Sequence, residues 1–321
     1  MPTHIPGIDE LEYQIIDDGS TDNTVEVARQ LGVHHVVSMG GRNRRWLGRA
    51  FQAGLENALR LGADILVNTD GDNQYPSQQI AELVQPILRG EAHVVIGNRT
   101  PGTLSSFSPV KRWLQRLGNR LISLLTGENV PDAVSGFRAY SRKAMLRMNV
   151  LTDYTYTVDT LIQTYKKGLD VKWIDIHPNP MTRPSRLIPN LLTKVRKSGL
   201  AALRLSFVYH PLKTLLLLGT IFLIPGLTLI ISWAFGYPSV GFSSVGVSSE
   251  DALSSLVIGS ALLVIAVQLY LFAVIGELHS VNRALLEGII VRQRELAISP
   301  RANIKGVVEP TTTRIARVSN S

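Results

Sequence analysis

Two carboxylates stand one residue apart in the stretch NTDGDNQYP (residues 68–76), directly after the apolar run ADILV (63–67). Like charges this close repel, and a hard divalent cation that takes carboxylate oxygens is one reason to keep them together. A polar turn is the competing reading, because Asp, Gly and Asn are ordinary turn formers. A second acidic pair, Asp17 and Asp18, ends the segment LEYQIIDDG, and Asn98 and Arg99 end AHVVIGNR. An arginine fork suits phosphate oxygens, although an isolated Arg99 could equally be a surface cation. His34, His35 and His177 have no carboxylate at useful spacing, and their expected role is structural.

These clusters need a frame that brings them together. Before residue 190 the chain alternates strand-like and helix-like segments. LEYQIIDDG reads as a strand and TDNTVEVARQLG as a helix, with Thr21 or Asp22 as its N-cap. VHHVVSM, ADILVNTDGD and AHVVIGNR read as further strands, and GRAFQAGLENALRLG and PSQQIAELVQPILRG as the helices between them. Such alternation predicts an α/β fold with a mostly parallel, doubly wound sheet. In open α/β sheets the ligand lies beyond the carboxyl ends of the strands. Asp17 and Asp18, Asp70 and Asp72, and Asn98 and Arg99 all fall at such ends, so that edge is the predicted site.

The 321 residues include 33 Lys and Arg against 25 Asp and Glu, a net charge of +8 that suits an anionic partner. With no cysteine there are no disulfides and no thiolate metal sites. No secretory signal opens the chain. Residues 212–235 and 252–278 are each long and apolar enough to cross a bilayer, for which about 20 residues suffice. The segment between them has no Lys or Arg, whereas Lys194, Arg196, Lys197 and Arg204 precede the pair and Arg283, Arg292, Arg294, Arg301 and Lys305 follow it. The positive-inside rule then predicts an integral membrane protein with both termini cytoplasmic and Trp233 and Tyr237 at the outer interface. NLLTKVRKSGLAALRL, just before the first span, has the pattern of a helix lying in the membrane surface. The predicted organisation is a catalytic domain at 1–187, an amphipathic juxtamembrane segment at 188–211, a two-helix transmembrane region at 212–278 and a basic cytoplasmic tail at 279–321.

Four motifs in order, DDGSTDNT (17–24), TDGDNQYP (69–76), GNR (97–99) and DAVSGFRAYSR (132–142), followed by a basic segment and two spans, resemble the family 2 glycosyltransferases of GT-A fold. The closest likeness is to the polyprenyl-phosphate group that includes dolichyl-phosphate mannose synthase, and it extends to about residue 286. The resemblance implies transfer of a hexosyl group, with inversion, from a UDP- or GDP-linked sugar to a polyprenyl phosphate at the cytoplasmic face of the cell membrane. It implies a Mg2+ or Mn2+ ion on Asp70 and Asp72, with Gln74 completing the shell, and Asp72 and Arg138 as the catalytic pair. Asp18, with Asp17 beside it, would meet the nucleotide base. Arg99, Arg138 and Ser135 would lie near the phosphates, and Arg183 and Arg186 would meet the lipid phosphate. Membrane lipid is then a partner, nucleic acid is not, and a homo-oligomer is open.

Two departures stand out. The family carries an Asn-x-Gly-x-Gly segment before the second helix; here NRRWLGRA keeps Gly48 but has Trp46 where the first glycine is expected. The family also begins with a strand and helix before the DDGS segment, whereas this chain starts at MPTHIPGIDE. The expected sheet therefore lacks its first strand and helix, roughly 25–30 residues by the size of a βαβ unit. A membrane-anchored nucleotide-sugar-binding protein with little turnover is one alternative, and a transferase with a different lipid acceptor is another. A processive polysaccharide synthase fits less well, since PVKRW (109–113) lacks the Gln of its Q-x-x-R-W motif and two spans are too few for a polymer channel. A transporter is disfavoured because neither span has a central charge.

Overall fold

Short runs rich in Ile, Val and Leu form strands, as β-branched side chains favour a pleated surface. The computed structural model describes residues 1–40, 46–99, 109–150, 153, 155–179, 206–235 and 249–298. β1 (Gln14–Asp17) pairs in parallel with β2 (His35–Ser38), and α1 (Thr24–Gln30) makes the crossover. The second sheet has the order β3-β5-β4-β6, built from β3 (Ile65–Asn68), β4 (Val94–Asn98), β5 (Arg138–Ser141) and β6 (Val171–Asp175). β4 and β6 run parallel, whereas β5 runs antiparallel to both of its neighbours.

Side chains alternate across this sheet, and the alternation creates two cores. On one face Val94, Ile96 and Tyr140 pack with Phe51, Leu55 and Leu59 of α2 (Leu47–Leu61), with Met145 of α5 (Arg142–Arg147) and with Leu161 of α6 (Thr157–Lys166). On the other, Val95, Phe137 and Ala139 meet Ile80, Leu83 and Val84 of α3 (Ile80–Leu88) and Ile5 of the N-terminal segment. The sheet is wound on both faces, as expected. β4 is buried along its whole length, the mark of a central strand. β1 and β3 are only half-buried for most of theirs, and among the described residues each has one hydrogen-bonded neighbour. α2 lies over both sheets: Gly54 comes so close to Ile16 that an added Cβ would sit 3.1 Å from its side chain, and Phe51 and Leu55 share a core with Leu66.

Several expectations need correction. The larger sheet is mostly parallel, since β3, β4 and β6 share one direction, and the exception not foreseen is β5, antiparallel in its middle. Its first residue, Arg138, pairs with Asn68 and Ile96, so the antiparallel direction brings the start of β5 to the edge where β3 and β4 end. The N-cap position of α1 falls at Asn23, whose side chain makes no capping hydrogen bond, and it is Asp22 that accepts from the Thr24 amide. His35 has a carboxylate partner after all, Glu12 at 3.1 Å.

Two further helices follow. α7 (Pro211–Phe235) and α8 (Ser249–Ile298) are both long and apolar enough to cross a membrane. They pack closely through small residues. An added Cβ at Gly219 would lie 2.4 Å from the Tyr270 ring, and one at Gly259 would lie 2.9 Å from Ile230. Ala266 and Ala273, seven and fourteen residues beyond Gly259, are fully buried on the same stripe. Residues 188–205 of the expected juxtamembrane helix and the segment 236–248 lie outside the described residues.

Candidate active site

The candidate site residues stand at the end of β1 in the smaller sheet, and in the larger one at the edge where β3 and β4 end and β5 begins. At the end of β1 the Asp17 carboxylate accepts from the Ser20 amide at 2.9 Å, which folds the DDGS turn. Hydrogen bonding from Ser20 holds Asp17 below the ordinary carboxylate range, against the opposing effect of burial. Asp17 is therefore a turn former, with its side chain directed into the backbone. Asp18 is half-buried, and its Oδ2 accepts from the Trp46 amide at 2.9 Å. The Trp46 ring carries the Arg49 guanidinium 3.9 Å from its centroid, and Arg49 in turn pairs with Asp153 at 2.5 Å. The residue that departs from the expected glycine thus orients an acid of the DDGS segment.

Beyond β3, the Asn68 side chain donates to the Gly136 carbonyl at 2.9 Å and to the Tyr156 hydroxyl at 2.7 Å. Asp70 lies against Gly136 so closely that a Cβ there would be 3.0 Å from its Oδ2 and 2.7 Å from the Tyr156 hydroxyl. Only glycine fits. Burial first, and then Asp72 beside it, push Asp70 up to about 6, while Arg99 and Arg138 pull it down. Asp72 is exposed and accepts from the Gln74 amide at 3.0 Å, with Asn73 between them in the left-handed region at φ 58. The Gln74 carbonyl accepts from the Asn179 amide at 2.9 Å, which ties the loop to the end of the β6 segment. Tyr75 stacks on Phe137 at 5.2 Å and meets the Gly136 amide through its hydroxyl.

The arginines lie differently from the expectation. Arg99 makes a bidentate pair with Asp132, at 2.8 and 2.9 Å, and the pair is largely enclosed. Arg138 is fully buried. Its guanidinium donates to the carbonyls of Ser135, Ala133 and Thr157 and to the Thr160 hydroxyl, at 2.7–3.1 Å. Neither fork points at open solvent, so both arginines reach the cleft through their field and through the loops they hold. Ser135 is wholly buried, and its hydroxyl is one of two buried side-chain groups without a hydrogen-bond partner among the described residues. Arg183 and Arg186 lie outside the described residues.

Sequence reasoning did not single out Asn68, Tyr75, Asp132 or Tyr156 for a role. Tyr75 and Asp132 sat inside quoted motifs, whereas Tyr156 had no local signal. Among the described residues no group of three or more His, Cys, Asp or Glu comes together. A cation held by one or two carboxylates plus substrate phosphates needs only the pair at 70 and 72. The raised Asp70 carboxyl, crowded by a second acid, is chemistry that a divalent cation would relieve.

An α/β sheet wound on both faces, with acids at the carboxyl ends of its strands, puts the candidate site where open α/β folds take their ligands. Residues 7–147 match the family described as Glycosyl transferase family 2. The chain is similar to the UDP-N-acetylglucosamine–dolichyl-phosphate N-acetylglucosaminyltransferase of Methanococcus voltae, with 32% identity over 148 residues, 41% of this chain and 59% of that one. An uncharacterised protein of Methanocaldococcus jannaschii is 30% identical over 171 residues, 50% of this chain and 68% of that one. The polyprenol monophosphomannose synthase of Mycolicibacterium smegmatis is 28% identical over 176 residues, 52% of this chain and 66% of that one. Solved structures of glucosyl-3-phosphoglycerate synthase from Mycobacterium tuberculosis align over 60% of this chain and 68% of theirs, at 23% identity and a TM-score of 0.46. The chain belongs to glycosyltransferase family 2. Its match spans less than two thirds of each of the two named relatives' own lengths.

Proposed function

We propose that this protein moves a hexosyl group from a UDP- or GDP-linked sugar to a polyprenyl phosphate at the cytoplasmic face of the cell membrane, with inversion at the anomeric carbon. The observation that carries this reading is the carboxylate pair Asp70 and Asp72 after β3, within the field of Arg99 and Arg138, in a chain that continues into two membrane-length helices. Relatives named for dolichyl-phosphate and polyprenol acceptors support it.

The acceptor needs little activation. A phosphate monoester has a second pKa of about 6 and is mostly dianionic at pH 7, so no strong general base is required. It needs positioning next to a second polyanion. Arg99 and Arg138 would supply the positive potential, a role their lowering effect on Asp70 supports. Arg183 and Arg186 are the cations assigned to the lipid phosphate. Asp18 is assigned to the base, and its carboxylate is oriented by the Trp46 amide. Ser135 is assigned to the phosphate side of the site, where its buried hydroxyl is left to a ligand. Asp70 and Asp72 would hold a Mg2+ or Mn2+ ion, with Gln74 nearby; such an ion stabilises the charge of a departing nucleoside diphosphate. The two apolar helices keep the protein where a polyprenol tail must remain.

The test is transfer of radiolabelled sugar into an organic-extractable lipid by the full chain in proteoliposomes, over a panel of UDP and GDP sugars. Transfer from one donor is expected, lost in Asp72→Ala with the melting temperature unchanged. Tight donor binding without any transfer would instead establish a nucleotide-sugar-binding protein.

A further inference from the structure

The two acids proposed for the ion are held in different ways. Asp70 is packed against the Gly136 turn. Asp72 is exposed, and its side chain holds only its own turn, accepting from the Gln74 amide at 3.0 Å. Asn73, between them, stands at φ 58. That left-handed conformation costs an L residue roughly 1–2 kcal/mol, so the turn does not keep its shape by itself. A small hard cation takes its oxygens at about 2.1 Å in strict geometry. Asp72 can serve such an ion beside Asp70 only if something outside the turn fixes it.

Asn179, beyond the end of β6, supplies the grip. Its backbone amide donates to the Gln74 carbonyl at 2.9 Å, and its side-chain Nδ2 donates to the Asn73 carbonyl at 3.0 Å. One residue thus holds two consecutive carbonyls of the turn. The stem that carries it is rigid. Ile176 is buried in the second core, its amide donates to the Asn98 carbonyl at 2.9 Å, and a Cβ added at Gly97 would lie 3.0 Å from its side chain. The His177 amide donates to the Gln79 side chain at 3.0 Å, on the far side of Pro76. Asparagine works the same way elsewhere at the site. Asn119 of α4 (Pro109–Thr126) donates to the Pro131 carbonyl and accepts from the Ala133 amide, and so brackets Asp132, the partner of Arg99. Asn73 is exposed, so a carbonyl that Asn179 releases finds water and the fold loses little. What is lost is the shape of the turn.

We propose that Asn179 is a positioning residue for the ion: through the 72–74 turn it holds Asp72 where that acid and Asp70 can take one divalent cation between them. The inference rests on the metal reading of the proposed function. Asp70 has its place from the end of β3 and the Gly136 turn, and Asp72 has its place from the end of β6. The segment after β6 then sets the affinity for the ion without touching it.

The test is a double-mutant cycle on ion affinity. The full chain in detergent is titrated with Mn2+, and the free ion is followed by electron paramagnetic resonance, with UDP and separately with GDP present. Asn179→Ala is expected to weaken Mn2+ binding about tenfold, the lower end of what outer partners of metal ligands contribute. Its melting temperature in chelator should change little. In an Asp72→Ala background the same substitution should weaken binding no further, because residues acting through one contact are not additive. Adding Asn73→Gly to Asn179→Ala should recover part of the affinity, since glycine takes φ 58 without strain. Mn2+ binding weakened by Asp72→Ala but unchanged by Asn179→Ala overturns the proposal and leaves the metal reading intact. An equal loss from Asn179→Ala in both backgrounds also overturns it, because the residue then acts elsewhere than on Asp72. A large drop of the melt in chelator, with no recovery by Asn73→Gly, makes Asn179 a support of the fold and overturns it too. If neither Asp72→Ala nor Asn179→Ala alters Mn2+ binding, the metal reading falls and the proposal with it.

Discussion

At the scale of single residues, the acids and the arginines differ in how openly the sequence shows them. Asp18, Asp70 and Asp72 were legible because a strand end followed by turn residues is a local pattern, and the structure places them there. Asp70 carries a testable consequence. Its folded value of about 6 lies above the ordinary 3.8, so the metal-free fold gains stability below about pH 4 and loses it as pH rises through 6. A bound divalent cation requires the ionised form and should reverse that slope. Thermal melts from pH 5 to 7.5 are expected to fall with pH in chelator and to rise with saturating Mn2+; parallel curves would remove Asp70 from the metal site. For Arg138 the sequence does not show its burial, which is a tertiary property. From sequence it is a cation near phosphates, but in the structure it satisfies three carbonyls and a hydroxyl, with no carboxylate among its hydrogen-bond partners. Removing it strands those acceptors, at about 1–3 kcal/mol for each left unsatisfied. Arg138→Met is expected to lower stability by at least about 2 kcal/mol in denaturant titration, whereas a surface phosphate ligand would cost transfer activity and leave stability unchanged.

At the scale of elements, long apolar segments were readable and short context-dependent ones were not. β3 and β4 carry ILV and VVI, and the structure has strands at both. β5 is only RAYS, opening with an arginine, and takes its strand form from the neighbours that supply its ladder. The half-burial of β1 and β3 is likewise a property of the sheet and not of their residues. For α7 and α8 the length is legible in the sequence but the mode of contact is not, because it depends on where glycines fall on facing stripes. With lipid on the outside there is little hydrophobic drive between the helices, and close backbone approach carries the packing. At Gly259 an added Cβ would lie 3.1 Å from the Gly226 carbonyl and 3.2 Å from Leu229, so the clash includes backbone that cannot swing away. Gly259→Leu should destabilise the full chain in detergent by about 1–3 kcal/mol, read as a lower melting temperature. Gly288→Leu on the same helix meets open space and should leave it unchanged. Equal losses in both variants would mean that the close approach at Gly259 does not set the effect, since helix propensity favours Leu over Gly at both positions.

At the scale of the whole molecule, α8 is too long for its membrane task. Fifty residues make about 75 Å of helix, against a hydrocarbon core of about 30 Å. The excess returns to the catalytic domain. Arg294 donates to the carbonyls of Leu146 and Met148 at the end of α5, at 3.2 and 2.6 Å, where a cation favours the free carbonyls of a helix terminus. Glu287 pairs with Lys167 at 2.9 Å, and Arg283 meets the Tyr209 hydroxyl, which donates to Asp159 at 2.5 Å. Asp159 and Lys167 are on and just after α6, and α6 also supplies Thr157 and Thr160 to Arg138. One helix thus links the spans to the turn that supports Asp70. The sequence placed a basic tail at 279–321, and nothing in its local pattern showed that residues 283–294 would bind back on the domain. In the proposed reaction this brace would hold the site at a fixed height above the bilayer, which would matter to a membrane-bound acceptor and not to a soluble donor. Arg294→Ala, whose partners lie away from the described site, is therefore expected to leave donor binding by calorimetry unchanged while lowering the lipid-transfer rate several-fold, with Arg294→Lys recovering part of it. Donor affinity and transfer falling together would show that the contact merely supports the fold.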